Sequence, residues 1–172
     1  MSSVALGGGS PTPLGHVTSL LTPTSPPHHH TPPLVLRSAL PAELALYNGR
    51  NGKPAYIACD GIVFDLTTHP SWQEFYGEGS GYNVFVGKCA SVGLACMELN
   101  PEKWTAQLSE LTAAQQETLN QWTGKYLAKY GVRGCLSGRG TYGSMAALQA
   151  KLGMVEAAAA KAEEAAAEKK GE

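Results

Sequence analysis

Beyond residue 36 the chain carries a single histidine, His69; the other four, His16 and the run His28-His29-His30, all precede it. That count removes paired-histidine metal ligation from the later part of the chain, and with it any Ser-His-Asp relay with a choice of histidines. Asp65, four residues before His69, offers an acid–base partner, but no activated nucleophile goes with the pair. The chain is therefore expected to be non-catalytic. Cys59, Cys89, Cys96 and Cys135 form no C-x-x-C pair and match no common zinc spacing. Each sits among apolar neighbours, as buried free thiols in a reducing compartment do.

Aromatic residues are concentrated instead. Phe64, Trp72, Phe75, Tyr76, Tyr82 and Phe85 are 6 of the chain's 13 aromatics and fall within 22 residues. Tyr76 and Tyr82 bracket Gly77-Glu78-Gly79-Ser80-Gly81. Glycines there let the backbone turn tightly or lie close against a ligand. The pattern describes a flat, aromatic-lined slot with phenol groups at its rim. The alternative is that these rings simply fill a small core.

The elements that must position these rings follow from local signals. Pro41 to Tyr47 reads as a short helix, with proline in the first turn and Asn48-Gly49 as its stop. Residues 55–59 and 62–66 flank Asp60-Gly61, the pair that makes a tight hairpin. Residues 67–83 read as a loop or very short helices, residues 84–96 as a compact helix with a glycine break, and Pro101-Glu102 as the start of another short helix. The strongest helix begins at Thr112, which forms a capping box with Gln115. Leu119, Trp122, Tyr126 and Tyr130 follow along one face, Gly131 ends the helix, and residues 132–136 add a strand. From about Ser144 to Lys170 the sequence turns helical again, with Gly153 as a weak point and no apolar stripe in its later Ala/Glu/Lys-rich part. Three regions result: a Pro/Ser/Thr-rich leader over 1–36, one small domain over 37–140, and a helical tail over 141–172. The leader's composition reads as disordered, and its histidine run as a solvated tract.

Charge and hydropathy exclude several classes. Net charge is −1, which gives no footprint for a phosphate backbone, so no nucleic-acid partner is expected. No apolar run reaches the ~18 residues of a membrane span, and the leader lacks the basic and apolar regions of a secretory signal. Its Ser/Thr content weakly matches an organelle transit peptide.

At the aromatic loop the sequence resembles a known family. Leu40-Pro41-Ala42-Glu43-Leu44, Asp60 to Thr67, Phe75-Tyr76-Gly77 through Gly81-Tyr82, Val84 to Lys88 with Ala90-Ser91 and Gly93-Leu94-Ala95, Leu111 to Leu119, Trp122 and Lys129-Tyr130 stand in the order and spacing of the membrane-associated progesterone receptor family. That family is a branch of the cytochrome b5-like haem/steroid-binding domains, and the likeness covers about residues 38–138. The resemblance implies an α+β fold, a small mixed sheet with short helices forming a ligand slot. It implies ferric haem b, five-coordinate through a tyrosine at the position of Tyr82, with Tyr76, Lys129 and Tyr130 in support, and a sterol as another ligand. It also implies haem monooxygenases or other membrane proteins as partners, a haem-mediated homodimer, and association with endomembranes such as the endoplasmic reticulum. The family's usual N-terminal anchor has no counterpart in the leader.

Some positions depart from the family's pattern. Cys89 stands where members commonly have Asp, Val92 replaces a usual arginine, and the 77–81 loop lacks the usual proline. A thiol from Cys89 could serve as a second ligand, and His69-Pro70 could offer a histidine one. The competing expectations are a sterol or apolar-ligand module that has lost haem, and an adaptor whose slot is only core.

Overall fold

The computed structural model describes residues 37–168. The expectations for the leader and for the last residues of the tail fall outside that range.

The hairpin forms at Asp60-Gly61, both at positive φ (48° and 87°), the backbone that a two-residue type I′ turn requires. It joins β2 (Tyr56–Cys59) to β3 (Ile62–Asp65), with Cys59 opposite Ile62. Nothing but glycine fits at Gly61, since a Cβ there would meet the Arg139 carbonyl oxygen at 2.2 Å. β1 (Arg37–Ala39) and β4 (Gly131–Leu136) complete a four-stranded sheet of order β1-β4-β3-β2. β1 and β4 run parallel, and the other pairs are antiparallel.

Alternation along the strands divides the interior. Ile57, Cys59, Ile62, Phe64 and Cys135 face the main core, while Ala58, Val63 and Leu136 face a smaller one with Leu44. Register shifts at Val63/Phe64, which pair with Gly134 and Val132, so Arg133 is the extra residue of a bulge. Its guanidinium then reaches buried Asp65, with Nε and Nη2 donating to Oδ2 at 2.9 and 2.6 Å.

Helices cover the sheet, α1 over the smaller core and the others over the main one. α1 (Pro41–Leu44) is shorter than its sequence signal, and Ala45 to Tyr47 continue it as turns that bring Tyr47 to stack on Tyr56. α2 (Trp72–Tyr76) lies within the segment read as loop or short helices. Of the helix expected over 84–96, the start is a turn of 3-10 helix (Asn83–Phe85) and the end is α3 (Ser91–Cys96), with non-helical chain between them. Gly87 turns the chain at φ 75°, and Lys88 to Ala90 run beside β2, where Ala58 N donates to Lys88 O and Ala90 N to Ala58 O. Sheet hydrogen bonds therefore claim the backbone that a longer helix would have used.

α4 (Ala113–Lys129) starts at its capping box, Thr112 N donating to Gln115 Oε1 at 2.9 Å and Gln115 N to Thr112 Oγ1 at 3.3 Å. It ends at Lys129, two residues before Gly131, because Tyr130 is already extended and Gly131 opens β4. α5 (Met145–Glu168) runs unbroken through Gly153. Its first turns pack Leu148 into the main core, and residues 156–164 are exposed. Among the described residues no helix is long and apolar enough to cross a membrane.

Candidate functional site

The loop between α2 and residue 82 creates the site. Gly77 ends α2, its N–H donating to Gln73 O at 2.9 Å. A Cβ on Gly77 would stand 2.3 Å from that same carbonyl oxygen. Ser80 Oγ then donates to the carbonyls of Phe75 (2.6 Å) and Gly77 (2.8 Å), and Tyr82 N donates to Phe75 O at 3.2 Å. The five-residue loop so folds back on itself and sets the Tyr82 ring 5.9 Å from the Tyr76 ring.

Opposite stands the face of α4 and the residue that follows it. Spacings of four bring Trp122, Tyr126 and Tyr130 into line, with Lys125 and Lys129 on the neighbouring solvent edge. Together with Phe75, Tyr76 and Tyr82 they enclose a cavity of about 390 Å³ with an almost wholly apolar lining. Small-molecule sites typically occupy about 300–1,000 Å³. All four sequence-predicted site residues, Tyr76, Tyr82, Lys129 and Tyr130, thus line one cavity.

Their environments differ. Tyr82 is 37% exposed at the rim, whereas Tyr76 is 6% exposed at the floor. Tyr76 Oη and Tyr126 Oη share a hydrogen bond of 2.8 Å. Burial pushes both phenols above the usual tyrosine range, so both stay protonated at neutral pH. This bond uses one of the pair's two hydroxyl protons, and the Tyr76 hydroxyl also lies close to Tyr130. The Tyr130 ring stands edge-on to Tyr76 at 6.2 Å. Lys129 Nζ lies 5.1 Å from the Phe75 ring centre and 5.5 Å from that of Tyr130, so its charge sits at the mouth over aromatic faces. Lys125 covers Trp122 in the same way at 4.7 Å.

Tyr126 is the site residue that sequence reasoning missed. Its place on the α4 face was legible, but its partner lies 50 residues away. Of the clustered aromatics, Phe64 and Phe85 belong to the core, and Trp72 packs against it.

The two other candidate ligands are placed elsewhere. Cys89 packs against the smaller core and shares a separate groove with Val92 and Trp104, because its backbone is tied to β2. A second ligand from Cys89 is therefore not supplied to the slot. His69 stands edge-on to Tyr130 at 5.9 Å, and its Nδ1 accepts from Ser71 N at 3.2 Å, so it works as a turn residue. Among the described residues no three His, Cys, Asp or Glu side chains cluster as a metal site.

Comparison with known proteins fits this geometry. Over 93 residues the chain is 45% identical to "Probable steroid-binding protein 3" of Arabidopsis thaliana, covering 54% of this chain and 90% of that protein. It is 33% identical over 91 residues to membrane-associated progesterone receptor component 2 of Homo sapiens, covering 51% of this chain and 40% of that one. The chain belongs to the membrane-associated progesterone receptor family. This family member has a cytochrome b5-like fold: a solved Arabidopsis thaliana protein described by that fold matches it with a TM-score of 0.52 and 40% identity, covering 63% of this chain and 96% of that one. The membrane steroid-binding protein 2 of Arabidopsis thaliana is 36% identical over 100 residues, and the match spans 42% of its length. No family model matches the chain.

Proposed function

We propose that the slot binds ferric haem b through the phenolate of Tyr82, and that the chain is a non-catalytic haem-binding module serving a partner protein. The observation that carries this reading is a partly exposed phenol at the rim of an aromatic-lined cavity with no histidine in its lining. The residues present suit the group. The slot is apolar and aromatic-lined, it offers an oxygen donor at its rim, and a porphyrin needs few protein donors because it brings four of its own. When bound, ferric iron supplies a Lewis acid that stabilises phenolate over phenol, and phenolate is a recognised haem ligand.

The chain's own groups do the rest. In this reading the Tyr76 hydroxyl, on a ring 5.9 Å from that of Tyr82, donates toward the negative charge on Tyr82. The Lys129 ammonium at the mouth attracts a propionate. Tyr130 closes the wall and keeps water from the floor. A hard anionic donor favours the ferric state, which suits haem sensing or delivery better than electron carriage. Partners of this module are haem monooxygenases or other membrane proteins, and a bound haem would allow a haem-mediated homodimer. Endomembranes such as the endoplasmic reticulum are the proposed place of work.

A second reading, a sterol in the same slot, is favoured by the names of the relatives, several of which are called steroid-binding proteins. Haemin titration separates the two. Haem binding predicts a high-spin tyrosinate-type spectrum that Tyr82→Phe abolishes, while Tyr76→Phe keeps it and weakens affinity roughly 10–100-fold. An unchanged spectrum and affinity in Tyr82→Phe would refute the ligand assignment, and no Soret shift in the wild type would favour the sterol.

A further inference from the structure

The slot does not end at Tyr82. A smaller cleft of about 120 Å³ adjoins it, and Tyr82 and Trp122 line both cavities. Phe85 and Leu94 form its buried wall, and Met97 and Leu99 stand at its edge.

Two observations mark this cleft as more than a packing defect. Met97 ends α3 in the left-handed conformation, φ 54°, a place that glycine or asparagine ordinarily fills. A residue with a side chain is strained there, and such strain gathers at ligand contacts. Met97 is nevertheless 68% exposed and Leu99 beside it 48% exposed. Two large apolar side chains, one on a strained backbone, thus flank a buried apolar wall. Methionine is also the side chain that best adapts to an irregular apolar guest. The second observation is size. An apolar cavity of roughly 150 Å³ accepts a benzene-sized group, so this cleft has room for the end of a branched alkyl chain and not for a ring system.

We propose that slot and cleft are one site for a sterol that retains its aliphatic side chain. The fused rings occupy the slot between Tyr76 and Trp122, and the tail passes Tyr82 into the cleft against Leu94 and Met97. The site therefore selects tail-bearing sterols over steroids that lack the tail. This inference rests on the sterol reading of the slot.

The test uses the full chain with cholesterol and with pregnenolone, which shares its ring nucleus but has the tail cut to an acetyl group. Both are delivered from cyclodextrin, and binding is read by quenching of tryptophan fluorescence. Burying even two more methylene groups is worth about tenfold, so cholesterol should bind at least about tenfold more tightly. Leu99→Glu, at an exposed position where folding is not at stake, should erase that preference and leave pregnenolone within about twofold. Leu94→Trp, which fills the cleft, should do the same, with circular dichroism confirming its fold. Equal affinities for the two sterols, or a preference that survives Leu99→Glu, would overturn the tail-binding cleft while leaving the slot intact. Failure of both sterols to bind would overturn the sterol reading and the cleft with it.

Discussion

Tyr76 and Tyr126 place two phenols in the interior with one hydrogen bond between them, and the consequences are measurable. Replacing Tyr126 with Phe strands the Tyr76 hydroxyl at the slot floor. An unsatisfied buried hydroxyl costs about 1–3 kcal/mol, so Tyr126→Phe should lower stability by that amount in urea at neutral pH. The double variant Tyr76→Phe/Tyr126→Phe should cost less than the sum of the two singles. The same residues make the fold sensitive to alkali. Burial raises both phenols, and it pushes the Cys59 thiol up to about 12. These groups favour the protonated, folded state. Their stabilisation is complete below the unfolded values, about 8.5 for cysteine and about 10 for tyrosine. It is lost as pH climbs through those values toward the raised folded ones. Melting temperature should therefore fall from about pH 9 upward, and Tyr126→Phe should flatten that fall. A melting temperature level to pH 11 would contradict the burial of these groups.

Among the elements, the connection from α2 to Tyr82 controls the site most. Gly77 admits no side chain because Gln73 O occupies that space. Gly77→Ala should cost roughly 1–3 kcal/mol, the usual range for an overpacked position, and should weaken ligand binding further by shifting Tyr82 from Tyr76. Titration with haemin beside a thermal melt separates the two effects. A variant that loses stability alone would show that the loop does not set the tyrosine spacing.

Much of this element map was legible in sequence wherever the signal is local. Asp60-Gly61 specifies its own turn, and Thr112 with Gln115 specifies its own cap, so the hairpin and the start of α4 followed from adjacent residues. Residues 86–90 were misread as helix because Tyr56 and Ala58, about 30 residues earlier in the chain, take up Gly87 N, Lys88 O and Ala90 N, and no local pattern records that pairing. Tyr76, Tyr82, Lys129 and Tyr130 were legible as candidates through their order in the chain. The contact of Tyr126 with Tyr76 was not, since a helical face shows which residues are neighbours but not what they meet.

At the scale of the molecule, α2 with its loop and α4 hold the slot, and α5 is divided in its contribution. Leu148 is fully buried in the main core, while residues 156–164 are exposed. Leu148→Ala should cost about 2–5 kcal/mol. Deleting residues 156–172 should change stability by less than about 0.5 kcal/mol and leave ligand affinity unaltered, as chemical denaturation and titration would show. The slot itself gathers its donors from the α2 loop and α4, with His69 engaged in a turn outside it. The bond that this arrangement predicts is open to direct observation. Resonance Raman of the haem-loaded chain should show an iron–phenolate stretch with its tyrosine ring modes, present in His69→Ala and absent in Tyr82→Phe. Those modes persisting in Tyr82→Phe, or vanishing in His69→Ala, would contradict the account.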